Sequence, residues 1–249
     1  MDFGLKGKVA IVTGASRGLG FAAVEALVSE GARVVAAARS AAGLDALARA
    51  HPGRILAVPC DMRDGEAVDA LPSRAVAEFG RLDILVNNAG IAPAGAFIDQ
   101  SREGLEEVMD VNVIAPAMLS RAAGAIMIPQ GGGKIINIAS ISGIRGKAVL
   151  VGYSASKGAM LQMTKALAAE WARHNIQVNA IAPGGFATEA QAAVLNDPDI
   201  LKKRVRKIPA GRMARPDEMG AMVCYLASPL SDFVTGAVLV IDGGETAKI

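Results

Sequence analysis

The sequence predicts an α/β fold in which a doubly wound sheet of seven mostly parallel strands carries helices on both faces. Short runs rich in Val and Ile recur between longer, Ala-rich stretches of helical period. These runs are apolar throughout, which is typical of strands covered on both faces, and the helical stretches supply the crossovers that parallel strands need. The predicted strands span residues 9–12, 33–37, 55–58, 84–86, 134–138, 176–180 and 238–241.

The whole chain, residues 1–249, is predicted to form a single domain. Its 249 residues and 52% hydrophobic content suit one larger α/β domain with a substantial core. No linker divides it, since Gly131-Gly132-Gly133 is too short and fits a helix-to-strand turn. Residues 184–216 form the one long irregular region. Because loops of that length in compact domains are usually functional, we expect a helical flap that covers a substrate.

Composition and charge disfavour several classes of function. A formal net charge of +2, without a basic block interleaved with aromatics, gives no support for nucleic acid or a membrane surface as a partner. The N-terminus lacks a signal-peptide pattern, so we expect a cytoplasmic protein. Cys60 and Cys224 lack metal-binding spacing, so they are predicted to be buried small hydrophobes and no metal site is predicted.

The first predicted strand runs into a glycine-rich turn, Thr13-Gly14-Ala15-Ser16-Arg17-Gly18-Leu19-Gly20, and a helical pattern follows at once. Glycines permit a tight turn and let backbone N–H groups approach a pyrophosphate, while the helix N-terminus adds a partial positive charge. The spacing is GxxxGxG rather than GxGxxG, and no Lys-Ser/Thr follows as a P-loop requires. The turn indicates a dinucleotide site, with a purely structural turn as the alternative.

Tyr153 and Lys157 lie one helical turn apart, which places a phenol beside an ammonium group. A free tyrosine has a pKa of about 10, and an adjacent cation can lower it by roughly 1–3 units. We therefore expect Lys157 to lower the pKa of Tyr153 and to make it a proton donor for a carbonyl. The same spacing also occurs on solvated helix faces.

Further motifs follow in order along the chain. Beside the glycine turn and the Tyr–Lys pair it has Asn87-Asn88-Ala89-Gly90 after the fourth strand, Asn112 in a long helix, Ser140 after the fifth strand and Pro183-Gly184 after the sixth. With these motifs the chain resembles the classical short-chain dehydrogenase/reductase family over essentially its whole length. The resemblance implies a Rossmann-type fold and a nicotinamide cofactor. The 3-oxoacyl-carrier-protein reductases and the sugar-acid dehydrogenases are similar to about the same degree.

The resemblance also implies a role for each catalytic residue. Tyr153 would protonate the carbonyl oxygen as hydride arrives, and Ser140 would orient that oxygen. Lys157 would lower the phenol pKa and bind ribose hydroxyls. Asn112 would support the active-site backbone and hold a water leading from Lys157 to solvent. A catalytically silent nucleotide-sensing module is the alternative from another class, and the complete set of four residues argues against it.

NADP(H) is the predicted cofactor. NAD-preferring relatives carry an acid at the end of the second strand, whereas this chain has Arg39 there and Arg17 in the glycine turn. These two arginines are predicted to hold a 2′-phosphate through charge-assisted hydrogen bonds. The full predicted set of cofactor-binding residues is Gly14, Ser16, Arg17, Gly18, Leu19, Gly20, Arg39, Asp61, Met62, Asn88, Ala89, Gly90, Tyr153, Lys157, Pro183, Gly184, Phe186 and Thr188.

The predicted substrate-binding residues are mostly uncharged. They favour NADPH-dependent reduction of a hydrophobic or modestly polar ketone, or of a 3-oxoacyl thioester. Arg145 and Lys147 keep a keto-sugar acid open as the alternative. Gly185 stands where many relatives have a bulkier residue, which predicts a roomier substrate floor. The substrate set is Ser140, Ser142, Ile144, Leu150, Tyr153, Gly185 and Phe186.

The family resemblance further implies a homotetramer. Its interfaces would come from the long helices starting near Ser101 and Tyr153 and from the C-terminal segment 238–249. Small residues in the second of these helices would allow close helix approach, but they also suit an ordinary internal face.

Overall fold

A computed structural model describes residues 2–248, so Met1 and Ile249, at the ends of the predicted domain and of the predicted interface segment, lie outside it. The described chain holds one seven-stranded sheet in the order β3-β2-β1-β4-β5-β6-β7. All seven predicted strands are confirmed, and every pairing is parallel. The strands are β1 Val9–Thr13, β2 Arg33–Ala38, β3 Ile55–Pro59, β4 Ile84–Asn87, β5 Gly133–Ile138, β6 Ile176–Pro183 and β7 Val238–Ile241.

Helices cover both faces of the sheet, and successive strand residues belong to different cores. In β1, Ala10 and Val12 pack with α1, α2 and α9, whereas Val9 and Ile11 pack with α3 and α5. Both faces are dry, which is why the strands read as apolar throughout. The helices are α1 Gly18–Ser29, α2 Ala41–Ala50, α3 Gly65–Phe79, α4 Arg102–Met109, α5 Ala115–Gln130, α6 Val151–Trp171, α7 Ala192–Leu195, α8 Pro198–Val205 and α9 Asp217–Ala227.

The strand order reverses between β1 and β4. This reversal determines where a ligand-binding crevice can form. The chain winds outward from β1 to β3 and then returns to pair β4 with β1. In open parallel sheets such a switch point leaves a crevice beyond the carboxyl ends of the strands. Thr13 Oγ1 closes the base of the crevice by accepting hydrogen bonds from the backbone N–H groups of Asn88 and Ala89, each at 3.0 Å.

α4 and α5 are joined without a break by a π-helical turn, Asp110–Ile114. The resulting helix, Arg102–Gln130, has 29 residues, and its most apolar stretch has a mean hydropathy of 1.5, so its length and composition alone would allow it to cross a membrane. Half of that stretch is buried inside the protein. Leu119, Ala123 and Met127 pack in the core beneath the sheet, which is how an amphipathic core helix behaves.

Candidate active site

A cavity of about 850 Å³ follows the carboxyl ends of the strands. It begins at the ends of β2 and β3, passes the glycine turn and ends beside Tyr153 on α6. Every residue predicted to bind the cofactor lines it, including Thr188 in the flap. Residues spread over most of the sequence therefore meet in one cleft at the predicted edge of the sheet.

The glycine turn has a backbone that tolerates almost no side chain. Gly14 and Gly18 adopt φ values of +65° and +59°, a region that favours glycine. A Cβ on Gly20 would lie 2.2 Å from the carbonyl oxygen of Gly14 and 2.4 Å from Asn88 Nδ2. Asn88 Nδ2 donates a hydrogen bond of 2.8 Å to the carbonyl of Thr13. The N-terminus of α1 is therefore held open toward the cavity as an anion cradle, which fits the pyrophosphate of a dinucleotide.

Three of the four predicted catalytic residues meet at the far end of the cavity. Ser140 Oγ accepts a hydrogen bond of 3.0 Å from the backbone N–H of Ser142, and the Ser140 hydroxyl lies close enough to the Tyr153 phenol to act on its pKa. Lys157 Nζ lies 5.8 Å from the centroid of the Tyr153 ring and donates to the carbonyl of Ile138 at 2.7 Å. A hydroxyl, a phenol and an ammonium group thus surround one point on the cavity wall.

Asn112 lies behind this wall and does not line the cavity. It is fully buried within the π-helical turn that joins α4 to α5. Its Oδ1 accepts from the backbone N–H of Ile91 at 2.8 Å, and its Nδ2 donates to the carbonyl of Ile91 at 2.9 Å and to Ser156 Oγ at 3.0 Å. Asn112 is therefore a positioning residue that ties the segment after Gly90 to α6, and π turns of this kind are frequent at functional sites.

The sequence predicts that Lys157 lowers the pKa of Tyr153, and this prediction is wrong for this structure. Burial raises the pKa of Tyr153 above its usual value, and the hydrogen bond from Ser140 only partly opposes that rise. Lys157 Nζ donates to the carbonyl oxygen of Ile138 and to Met160 Sδ, and none of its hydrogen bonds within residues 2–248 reaches the phenolic oxygen. Burial instead lowers the pKa of Lys157 to about 8.

The lowered pKa of Lys157 predicts a pH-dependent stability. In the unfolded chain Lys157 titrates near 10.5 and in the folded chain near 8, so between these values the unfolded state binds more protons. The free energy of unfolding should therefore rise with pH across this window by about 3 kcal/mol. Urea unfolding of wild type and Lys157→Met from pH 7 to 10.5 isolates this contribution. A difference between the two proteins that stays constant with pH would contradict it.

The predicted substrate residues divide into two groups. Ser140, Tyr153 and Phe186 line the cavity, whereas Ser142, Ile144, Leu150 and Gly185 do not. Ser142 is buried, with its N–H held by Ser140, and Ile144 is exposed at the protein surface. The side chains of this loop therefore do not form the cavity wall that the sequence suggests.

The expected roomier floor at Gly185 is also wrong. A Cβ at this position would lie 2.8 Å from Arg204 Nη2 and 3.1 Å from Ile208 Cδ1. Arg204 belongs to α8 in the flap, and two hydrogen bonds of 2.7 Å to the Glu245 carboxylate hold it. The missing side chain thus gives room to the flap rather than to a ligand.

Several residues that line the cavity were not predicted from the sequence. Arg63 follows the predicted Asp61 by two positions and could have been found from that motif. Glu107 and Val111 come from the long helix, and no local pattern marks them. The cavity residues outside every predicted set are Ala38, Ser40, Cys60, Arg63, Ile91, Ala92, Glu107, Val111, Ile138 and Ala139, whereas Glu189, Ala190 and Gln191 lie in the predicted flap.

Two arginines on the cavity wall keep their donors available. The ion pairs formed among residues 2–248 include neither Arg17 nor Arg39. Over the same residues, no group of three His, Cys, Asp or Glu side chains is placed to hold a metal ion. Cys60 and Cys224 are buried and not disulfide-bonded.

Comparison with known proteins identifies the family. A family model described as Enoyl-(Acyl carrier protein) reductase matches residues 14–246. The chain is a classical short-chain dehydrogenase/reductase (SDR). This SDR is 40% identical to 2-dehydro-3-deoxy-D-gluconate 5-dehydrogenase of Dickeya dadantii over 99% of the chain and 98% of that relative. It is also 40% identical to D-threitol dehydrogenase of Mycolicibacterium smegmatis, over 99% of the chain and 96% of that relative.

A solved relative shows the cofactor of this group. The gluconate 5-dehydrogenase of Burkholderia cenocepacia, crystallised with NADP and tartrate, superposes with a TM-score of 0.92 at 34% identity, covering 98% of this chain and 97% of the other. Solved SDRs of this fold hold NADP, which agrees with the predicted cofactor. The relatives also agree better with the sugar-acid alternative than with a hydrophobic ketone or a thioester.

Proposed function

We propose that this SDR interconverts a secondary alcohol and a ketone on a sugar acid or a related polyol, with NADP(H) as the hydride carrier. The observation that carries the reaction type is the meeting of Ser140, Tyr153 and Lys157 at one end of a dinucleotide-sized cavity. The relatives that act on a deoxygluconate and on threitol support the substrate class. This proposal replaces the hydrophobic ketone or thioester expected from the sequence.

In the direction of reduction, Tyr153 gives its phenolic proton to the carbonyl oxygen while Ser140 donates a hydrogen bond to the same oxygen. When bound, the nicotinamide supplies the hydride that goes to the carbonyl carbon. Burial keeps the pKa of Tyr153 high, so the phenol stays protonated at neutral pH and can act as an acid. Lys157 Nζ, 5.8 Å from the centroid of the Tyr153 ring, would bind the ribose hydroxyls of the dinucleotide.

Cations lie on the loop between Ser140 and Tyr153 and on the flap, outside the residues that line the cavity. Lys147 lies on the loop between Ser140 and Tyr153, and its backbone N–H is held by Ser154 Oγ at 3.3 Å. Burial lowers the pKa of Lys147, the charges of Arg204 and Lys207 lower it further, and Glu245 opposes them. A substrate carboxylate that extends past the cavity wall to this loop would offset the repulsion between these cations, which favours a sugar acid.

The test of the proposal follows nicotinamide absorbance in both directions, with Tyr153→Phe as the blank. Six-carbon aldonates and alditols are tried with NADP⁺, and cyclic ketones and 3-oxoacyl thioesters with NADPH. Turnover that depends on Tyr153 and is confined to the aldonates or alditols is the expected result. Turnover confined to the thioesters would reject the substrate class. Binding of NADPH without any turnover would favour a nucleotide sensor.

Cofactor preference gives a separate prediction. Within residues 2–248 neither Arg17 nor Arg39 has a carboxylate partner, so a 2′-phosphate can accept their charge-assisted hydrogen bonds, each contributing about 1.5–3 kcal/mol. Arg39→Met is expected to raise the Kd of NADPH by about 10- to 100-fold and to leave the Kd of NADH within about twofold. Fluorescence titration of the bound cofactor measures both values. Equal losses for the two cofactors would contradict a role in phosphate binding.

We also propose that this SDR is a cytoplasmic homotetramer. The long helix from Arg102, capped by Ser101, and α6 begin close to where the predicted interfaces place them. Near β7, Leu230 and Phe233 leave apolar side chains exposed, as does Val240 within the strand, and a second copy could cover them. Sedimentation velocity is expected to show a tetramer, and a stable monomer would reject this assembly.

A further inference from the structure

The end of the cavity farthest from Tyr153 contains an arginine that differs from Arg17 and Arg39. Arg63 lines the wall beside Asp61 and Met62 and lies just after β3. Unlike the other two arginines, it is already engaged by carboxylates on two sides. Three of its five N–H donors are already bound to carboxylates, which sets Arg63 apart from Arg17 and Arg39 in what it offers a dinucleotide.

The hydrogen bonds of Arg63 fix the plane of its guanidinium group. Nη2 donates to Asp61 Oδ2 at 2.6 Å and Nε donates to Asp61 Oδ1 at 3.1 Å, a fork that bridges both carboxylate oxygens. On the other side Nη1 donates to Glu107 Oε1 at 3.4 Å. Each of the three nitrogens thus donates a hydrogen bond to a carboxylate, either of Asp61 in the segment after β3 or of Glu107 in helix α4.

Asp61 stays ionised and holds this arrangement over the whole neutral range. The hydrogen bonds from Arg63 lower the pKa of Asp61 to about 2, and the nearby charge of Arg39 adds to the effect. The backbone N–H of Arg63 also donates to Asp61 Oδ1 at 3.0 Å, which fixes the carboxylate relative to the main chain. The carboxylate therefore acts as a rigid holder for the guanidinium.

A guanidinium whose edges are held by two carboxylates keeps a fixed plane and leaves its faces open to a ligand. The side chain of Arg63 remains 54% exposed, and among the described residues no aromatic ring stacks on it. Faces of arginine stack well on flat π systems because the cation is delocalised and weakly hydrated. The flat group that a nicotinamide dinucleotide carries at its end remote from the nicotinamide is a purine.

We propose that Arg63 is the adenine-binding residue of this SDR, stacking one guanidinium face on the purine, with Asp61 and Glu107 as the positioning residues that hold it. The assignment concerns the dinucleotide alone and does not depend on the proposed substrate. Under this assignment the three arginines have different roles in cofactor binding. Arg17 and Arg39 distinguish NADPH from NADH, whereas Arg63 strengthens the binding of both equally.

The test measures Kd values for NADPH and NADH by fluorescence titration, so it needs no turnover. Arg63→Met keeps the side-chain length and removes the planar cation, and Arg63→Lys keeps the charge and removes the plane. Both variants are expected to weaken both cofactors by about tenfold, with the same ratio for NADPH and NADH. Arg39→Met serves as the matched control, since it should weaken only NADPH.

Three results would overturn the proposal. A loss confined to NADPH would make Arg63 a third phosphate ligand. Wild-type affinity in Arg63→Lys would show that charge alone suffices, and unchanged affinity in Arg63→Met would show that Arg63 does not bind the dinucleotide. Glu107→Gln should weaken both cofactors by a smaller and equal factor. Thermal melting of each variant without cofactor verifies that the half-exposed position tolerates the change.

Discussion

Tyr153→Phe is expected to lower turnover at least about a thousandfold while the Kd of NADPH stays within about twofold of wild type. The substitution removes only the hydroxyl that bonds to Ser140 and carries the transferable proton. The ring that packs beneath Lys157 is kept, so the cavity wall is preserved. Loss of turnover with intact cofactor binding separates a chemical role from a structural one.

The second tyrosine of the chain provides the matched control for this experiment. Tyr225 lies on α9, and it is not among the residues that line the cavity. Tyr225→Phe should therefore keep turnover within about twofold of wild type. Near-normal turnover in Tyr153→Phe would refute the assignment of the proton donor, whatever the control shows.

Gly20→Ala is expected to abolish measurable dinucleotide binding and to destabilise the fold by about 3 kcal/mol. The added Cβ would lie 2.2 Å from the Gly14 carbonyl oxygen and 2.4 Å from Asn88 Nδ2. Real carbon atoms do not approach that closely, so either the glycine turn or the Asn88 loop must move. Both frame the N-terminus of α1, and a shift of either misaligns the N–H groups that face the pyrophosphate.

Gly65→Ala is the control for the glycine substitution. Gly65 begins α3, and a Cβ there would meet no atom within 4 Å. Because alanine favours helix over glycine, this variant should be as stable as wild type or slightly more stable, and it should bind NADPH normally. Chemical unfolding and cofactor titration of both variants complete the comparison. Wild-type binding by Gly20→Ala would show that the close approach is not needed.

The strands and the glycine turn were predictable from the sequence, and the candidate catalytic side chains could be selected from it. Strands covered on both faces read as apolar runs, so segments such as 9–12 and 176–180 are visible without any contact information. The motif residues, including Tyr153 and Lys157, are recognisable because their spacing in the chain is short and their chemistry is distinctive. Parallel topology then brings their segments to one edge of the sheet.

The surroundings of these residues depend on tertiary packing, because they come from segments remote in the sequence. The pKa of Lys157 depends on how deeply packing buries it, and the space at Gly185 depends on where Arg204 of the flap comes to rest. The fixed plane of Arg63 needs Glu107, 44 positions away. Short-range patterns encode elements and motifs, whereas desolvation and contacts between distant segments exist only once the chain has packed.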